Sequence, residues 1–384
     1  MTVWEPDLKL HLREDQIFAT YDDETEVFHA PSFDGAIKKI SSELIGAMNI
    51  VLSAHASARE RSNAEALVQQ QGELLYEEVF GLNGSQGRRL EDVLVLCFAN
   101  AAPDTPPAIT TEGAWYLLPW ELMRVPASVC GRDADAYLGE MAIVAGLLGS
   151  QRILNGQSFE AAHPLQIVSF AGAGLAHADD EVKFVRSLGG PHIATPRVVE
   201  RLNGNNRPSG RKRNCQTIKT IVAGPKPAEF LHGAFHSETD VQNDAFEMVL
   251  HQKARVSSRD FSASRLRAVD TSNIAFFNTC QGLSLRPWHG GGLAAHALRQ
   301  WKSDLVVASL CKIDDRAAAR FSQTFLQRIL PIAAHQGARI GEALFEARAA
   351  ALHEANPADR LIGMSFRLLG WPNMRIVVAS QEAA

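Results

Sequence analysis

Residues 229–240, EFLHGAFHSETD, and 273–282, NIAFFNTCQG, are two short apolar runs, each ending in a side chain capable of chemistry. Runs of four to seven residues, rich in Phe, Ile and Val and without polar alternation, have the pattern of strands buried on both faces of a sheet. The same pattern recurs in LQIVSFA (165–171), DLVVASL (304–310) and MRIVVAS (374–380), and it extends to DVLVLCF (92–98). Helical spacing fills the intervals. DDEVKFVRSL follows the run at 165–171, and AAARFSQTFLQRIL carries Phe321, Phe325 and Ile329 on one stripe. Ile340, Leu344, Ala347 and Ala351 make another, and TPRVVERLN has Thr195 as N-cap and Pro196 in first position. Strand–helix–strand order predicts an α/β fold, a mostly parallel six-stranded sheet with helices on both faces.

Upstream, Ile37, Ile40, Leu44, Ile45 and Met48, then Ala64, Leu67, Val68, Leu75 and Val79, recur at three to four residues and predict two amphipathic helices over 34–80. Residues 1–33 read as polar with little periodicity. Residues 202–219, LNGNNRPSGRKRNCQTIK, are polar, basic and interrupted by Gly and Pro. They predict an exposed loop, and its Arg211, Lys212 and Arg213 suit a protease-accessible activation site.

Composition narrows the function. The chain has 384 residues, 46% hydrophobic and 21% charged, as a globular core requires, and a net charge of −5. That balance argues against general nucleic-acid binding, which depends on clustered Lys and Arg. No apolar run approaches the roughly 20 residues that cross a bilayer, and the first residues hold no apolar signal segment. The cytoplasm is therefore the expected location. Five widely spaced cysteines (Cys97, Cys130, Cys215, Cys280, Cys311) suit free thiols.

Functional groups of parallel sheets gather where loops leave the C-terminal strand ends. His236 and Cys280 both stand at such ends. If the strands are neighbours, an imidazole can take the proton of the thiol and later return it to a leaving amine. Small neighbours and free backbone N–H groups, as the turn at Thr279–Gly282 supplies, would hold an oxyanion. Three alternatives are weaker. His232 and His236 are spaced for zinc on a helix, but on a strand residues four apart are separated by about 13 Å. FAGAGLAH (170–177) holds only two of the glycines of a dinucleotide loop. HGGGL (289–293) has no Gly-x-Ser-x-Gly partner and fits a flexible loop.

His–Ser–Glu after one strand and Asn–Thr–Cys–Gln–Gly after the next resemble the caspase-type cysteine peptidases, in particular the CHAT branch. LPWELM (118–123), GLAHADDEVKFVRSL (174–188) and the Gly-rich stretch from 290 to 315 are similar to that family as well. The resemblance implies a caspase-like fold, with a pseudo-caspase or accessory region over 1–160 and the catalytic domain over 161–384. It implies Cys280 as nucleophile and His236 as acid/base, with the N–H groups of Cys280 and Ser237 holding the oxyanion. Relatives often have Gly where this chain has Ser237, and Trp where it has Cys311. Asn278, two before the cysteine, would line the pocket for the P1 residue. Glu238, Asp240, Asp314 and Asp315 lie on nearby loops and would favour Arg or Lys there. The resemblance further implies a regulated bacterial endopeptidase acting on partner proteins, often in antiphage defence with CRISPR or gasdermin components. An upstream protease or sensor would activate it. No cofactor, metal, nucleic acid or membrane is called for. The competing reading is a catalytically silent scaffold that binds partners.

Overall fold

The computed structural model describes residues 7–13, 15–30, 35–102, 105–113, 118–147, 158–161, 164–172, 175–199, 207–223, 228–240, 245–250, 254–262, 273–280, 292–330 and 339–378. Two compact units emerge: one comprises 1–149 and 344–372, the other 150–343 and 373–384. Sequence expectation divides the chain once, at 160; in the structure the segment 344–372 joins the first unit.

The first unit begins where the sequence reading expected no regular structure. Strands β1 (Leu8–Arg13), β2 (Gln16–Tyr21) and β3 (Glu24–His29) form an antiparallel meander. Its signal is alternation: Leu8, Leu10 and Leu12 are buried while Lys9 and His11 between them are half-buried. Helices α1 (Ala36–Val51) and α2 (Ala58–Phe80) follow as predicted. Ser57 and Glu60 close a capping box at the start of α2, where Ser57 N donates to Glu60 Oε2 at 2.8 Å.

The run DVLVLCF is a helix, α3 (Leu90–Asn100), not a strand. Leu90, Val93, Leu94 and Cys97 are buried and Leu96 is exposed, a three-to-four spacing that an unbroken apolar run hides. Strand β4 (Ala108–Glu112), the short β5 (Arg124–Val125), α4 (Ala127–Cys130), β6 (Ala136–Tyr137) and β7 (Ile143–Leu147) complete the first passage.

The second unit carries β8 (Ser158–Ala161), β9 (Ile167–Ala171), α5 (Ala178–Ser187), β10 (Arg197–Val199), α6 (Pro208–Ala223) and β11 (Phe230–Asp240). It continues with β12 (Ala245–Val249), β13 (Arg255–Ser257), α7 (Ser258–Ser262), β14 (Asn273–Thr279), α8 (Leu293–Gln300), β15 (Ser303–Ser309) and α9 (Asp315–Ile329). Helix α10 (Ile340–Leu352) leads back to the first unit, which receives α11 (Pro357–Ser365) and β16 (Phe366–Leu369); β17 (Arg375–Val378) pairs with β8 in the second.

The predicted helix at TPRVVERLN is replaced by β10, because Val198 and Val199 pair with Ser169 and Phe170 of β9. β-Branched residues favour that outcome. Residues 208–219 are helical in α6 rather than an exposed loop. Pro208 takes its first position, and Asn214, Cys215 and Ile218 turn inward.

In the first unit the strand order is β16-β7-β4-β1-β2-β3, parallel as far as β1 and antiparallel beyond. In the second it is β10-β9-β11-β14-β15, all parallel. The six-stranded expectation undercounts the strands, but the fold is α/β with mixed, largely parallel pairing.

The motif LPWELM belongs to the core of the first unit. Trp120, Glu121 and Leu122 are buried, and Glu121 accepts from Arg348 Nη2 at 3.3 Å. Arg367 Nη1 lies 3.9 Å from Glu121 Oε2 and also donates to Leu118 O, while its Nη2 donates to Thr111 Oγ1 at 2.9 Å. A buried carboxylate between two buried guanidiniums ties α10 and β16 to this segment.

Candidate active site

Chain order in the parallel sheet of the second unit reverses between β9 and β11: β10 pairs on one side of β9 and the chain then crosses to the other. Such a switch point opens a crevice at the C-terminal strand ends. His236 and Cys280 stand at that end of β11 and β14. Their register runs from Phe230↔Ile274 through Ala234↔Asn278 to Phe235↔Thr279. The paired register ends at Phe235↔Thr279, so His236 and Cys280 are the next residues after the last pair of two adjacent parallel strands. Both residues are half-buried.

The backbone around His236 is tightly held. Gly172 at the end of β9 sits so close to β11 that a Cβ there would lie 2.6 Å from Phe235 Cα, and Gly172 N donates to Ala234 O at 2.6 Å. Beyond the sheet β11 continues as a ribbon, pairing antiparallel with β12: His236↔Val249, Ser237↔Met248. Ser237 is buried. Its Oγ, Thr279 Oγ1 and Asn278 Oδ1 have no partner among the described residues.

Burial pushes the Cys280 thiol up from its ordinary value. A backbone hydrogen bond at Ile313 and the Lys312 charge act in the opposite direction, and Asp315 adds to the rise. The Cys280 S–H is directed at Ile313 O, 3.8 Å away. Cys311 is fully buried; burial raises its thiol strongly and the neighbouring Cys280 adds to that. It is a core thiol. Among the described residues no cluster of three or more His, Cys, Asp or Glu could hold a metal.

Sequence reasoning missed the group beneath the two strand ends. Glu181 of α5 is 1% exposed, and its Oε1 accepts from His232 Nε2 at 2.6 Å and from Ser322 Oγ of α9. Its Oε2 accepts from Asn278 Nδ2 at 2.8 Å. The other ring nitrogen of His232 meets Ser169 Oγ of β9 at 2.7 Å. One carboxylate thus joins α5, α9 and the two strands that carry His236 and Cys280. The signal available in sequence was a Glu among two Asp at the start of α5, which periodicity places inward only once the buried Val182 and Val185 are known. His232 is therefore a buried, doubly bonded structural residue, as expected of a histidine inside a strand.

The other candidates separate. Asn278 is buried near the end of β14, two residues before Cys280. Asp314 caps α9 by accepting from Ala317 N at 3.0 Å, and Asp315 accepts from His177 N at 2.7 Å at the start of α5. Both carboxylates therefore hold helix ends. Glu238 and Asp240 fall on the β11 ribbon, but their side chains lie outside the described residues, as do the turn at 281–282 and the glycines at 290–291. Arg211 is on α6, pairing with Glu247 Oε1 of β12 at 2.8 Å and Asp260 Oδ2 of α7 at 3.1 Å. Lys212 and Arg213 are exposed on the same helix.

The CHAT domain model matches residues 87–361. Among solved structures, separase of Saccharomyces cerevisiae in its securin complex superposes with a TM-score of 0.59 at 8% identity, over 96% of this chain and 30% of that one. RgpB of Porphyromonas gingivalis, pro- and mature domains together, gives 0.43 at 8% identity, over 90% of this chain and 78% of that one. This chain therefore spans under a third of the separase chain. No curated protein matches.

Proposed function

The chain belongs to the CHAT-domain family and has its caspase-like fold, and from that premise we propose that it is a cysteine endopeptidase acting on protein substrates. The reading is supported by one observation: the β11–β14 register runs to Phe235↔Thr279, so His236 and Cys280 follow directly at the C-terminal ends of two adjacent parallel strands, one strand from the β9/β11 switch point. Cys280 gives its proton to His236 and its sulfur attacks the peptide carbonyl. The tetrahedral oxyanion is held by the N–H groups of Cys280 and Ser237. On collapse the C–N bond breaks, His236 protonates the leaving amine, and water then releases the acyl group by the reverse sequence.

The resting state suits a regulated enzyme. A thiol raised by burial and bonded to Ile313 O is mostly protonated at neutral pH. Activation would have to turn it toward the imidazole. Helix α6 is the element proposed to transmit that signal, since Arg211 clamps β12, the partner of the His236 ribbon. In this reading a sensor or protease acts at α6 and its exposed Lys212 and Arg213, the switched enzyme cleaves a partner protein, and the setting is antiphage defence in the cytoplasm. P1 is Arg or Lys.

A silent scaffold is the second reading, and the same Cys280–Ile313 contact favours it. Incubation of wild type and Cys280→Ala with a peptide library, cleavage sites read by mass spectrometry, decides between them. Cleavage by wild type alone supports the peptidase; identical peptide patterns overturn it.

A further inference from the structure

A carboxylate only accepts hydrogen bonds, so the Asn278 amide has one choice of orientation toward Glu181: its Nδ2 faces the carboxylate. That leaves Asn278 Oδ1 on the other side, buried at 6% exposure and without a partner among the described residues. A buried acceptor left unmet costs free energy that a ligand donor can recover. Asn278 lies two residues before Cys280, which follows the end of β14, so Oδ1 is near enough to meet a side chain bound beside the scissile carbonyl.

We propose that Glu181 is a positioning residue that turns the Asn278 amide so that its oxygen faces substrate, making the pocket an acceptor for donor-bearing P1 side chains, a guanidinium or an ammonium. The inference rests on the endopeptidase reading, and it assigns the selectivity to a buried residue of α5 rather than to the acidic residues at the rim. Asp314 and Asp315 are occupied at helix ends, which leaves the Glu181–Asn278 pair as a source of polarity inside the sheet.

The two oxygens of Glu181 have different company. Oε1 receives both His232 Nε2 and Ser322 Oγ, whereas Oε2 receives Asn278 alone. In Glu181→Gln the carbonyl stays with the two donors, and the new NH2 takes the place of Oε2. It then donates to Asn278 Oδ1, which forces the Asn278 amide to flip and presents its NH2 to the pocket. An acceptor pocket becomes a donor pocket with little change of shape.

The test has two arms. In wild type with 15N-asparagine labelling, the side-chain amide of Asn278, assigned by its loss in Asn278→Asp, exchanges slowly because it is bonded to a buried carboxylate. It exchanges fast in Glu181→Gln. Fast exchange in wild type overturns the proposal, and this arm needs no activity. In the second arm, kcat/KM is measured for peptides with Arg or Lys against Asp or Glu at P1. Glu181→Gln is expected to lower the basic-over-acidic ratio by about tenfold to a hundredfold, the scale of one charge-assisted hydrogen bond. In an Asn278→Ala background the same substitution is expected to add nothing. A further shift there would show that Glu181 acts by its charge alone and would overturn the proposal, as would an unchanged ratio in the single variant. If wild type cleaves no peptide, the endopeptidase reading fails and the exchange measurement still decides the orientation.

Discussion

Replacing Arg348 by Met tests whether LPWELM is a structural motif, since it breaks the buried cluster that holds it. Arg348 is 1% exposed and donates from Nη2 to Glu121 Oε1 at 3.3 Å and Phe366 O at 2.7 Å, and from Nε to Gly363 O at 3.2 Å. The substitution keeps the volume but leaves the Glu121 carboxylate, 0% exposed, with Arg367 at 3.9 Å as its remaining ion pair. Breaking one side of a buried pair costs about 3–5 kcal/mol. Domains of ordinary stability hold about 5–15 kcal/mol, so the variant should unfold at a much lower urea midpoint. Glu121→Leu should cost about as much, because it strands two guanidiniums instead. The double variant removes charge of both signs, so its loss should fall short of the sum of the single losses by at least about 2 kcal/mol. Urea unfolding followed by circular dichroism, with amide exchange over 118–123, measures all three. A loss under about 1 kcal/mol for Arg348→Met, or strict additivity in the double variant, refutes the reasoning.

Alkylation of Cys280 by iodoacetamide, mapped by mass spectrometry across pH, should have its midpoint above the ordinary thiol value of about 8.5; a midpoint below 8 or so would contradict the burial argument. The unfolded chain releases that proton first, so this group's stabilising contribution is complete below about pH 8.5 and declines as pH rises further; a Cys280→Ala variant should show a shallower decline in urea midpoint between pH 8 and 10. Gly172→Ala should destabilise the second unit by about 1–3 kcal/mol, because the new Cβ meets the backbone of Phe235, which cannot swing aside; a wild-type melting temperature would mean β9 and β11 can part freely. Arg211→Met should loosen the β12 ribbon and change peptidase rate several-fold without unfolding the sheet, since the ion pairs with Glu247 and Asp260 are half-buried; unchanged kinetics would remove α6 from the proposed activation route.

Where the chain's pattern reports a property of single elements, the sequence is a sufficient guide. EFLHGAF and NIAFFN are strands because their unbroken apolar runs can satisfy themselves only when covered on both faces, and α9 is a helix because one stripe is apolar and the rest is not. The parallel class of the sheet follows from their alternation. DVLVLCF misleads because a buried helix and a buried strand share an apolar run, and only packing that leaves Leu96 outside distinguishes them. The meander at 8–29 is missed because its alternation is diluted by charged outward positions, and α6 because its basic residues mask three inward ones.

The site divides along the same line. His236 and Cys280 are legible from position alone, as polar residues at the ends of two apolar runs. That their strands are adjacent is not, because the register between β11 and β14 is set by side-chain packing across strands far apart in sequence. The uses of Asp314 and Asp315, the helical setting of Arg211 and the buried Glu181 depend on partners up to 141 residues away in the chain. A local pattern determines what an element is and which end of it carries chemistry. Which charges are spent on helix ends, and which carboxylate is held between α5, α9 and the two strands, is decided by burial, and burial exists only once the layers have closed.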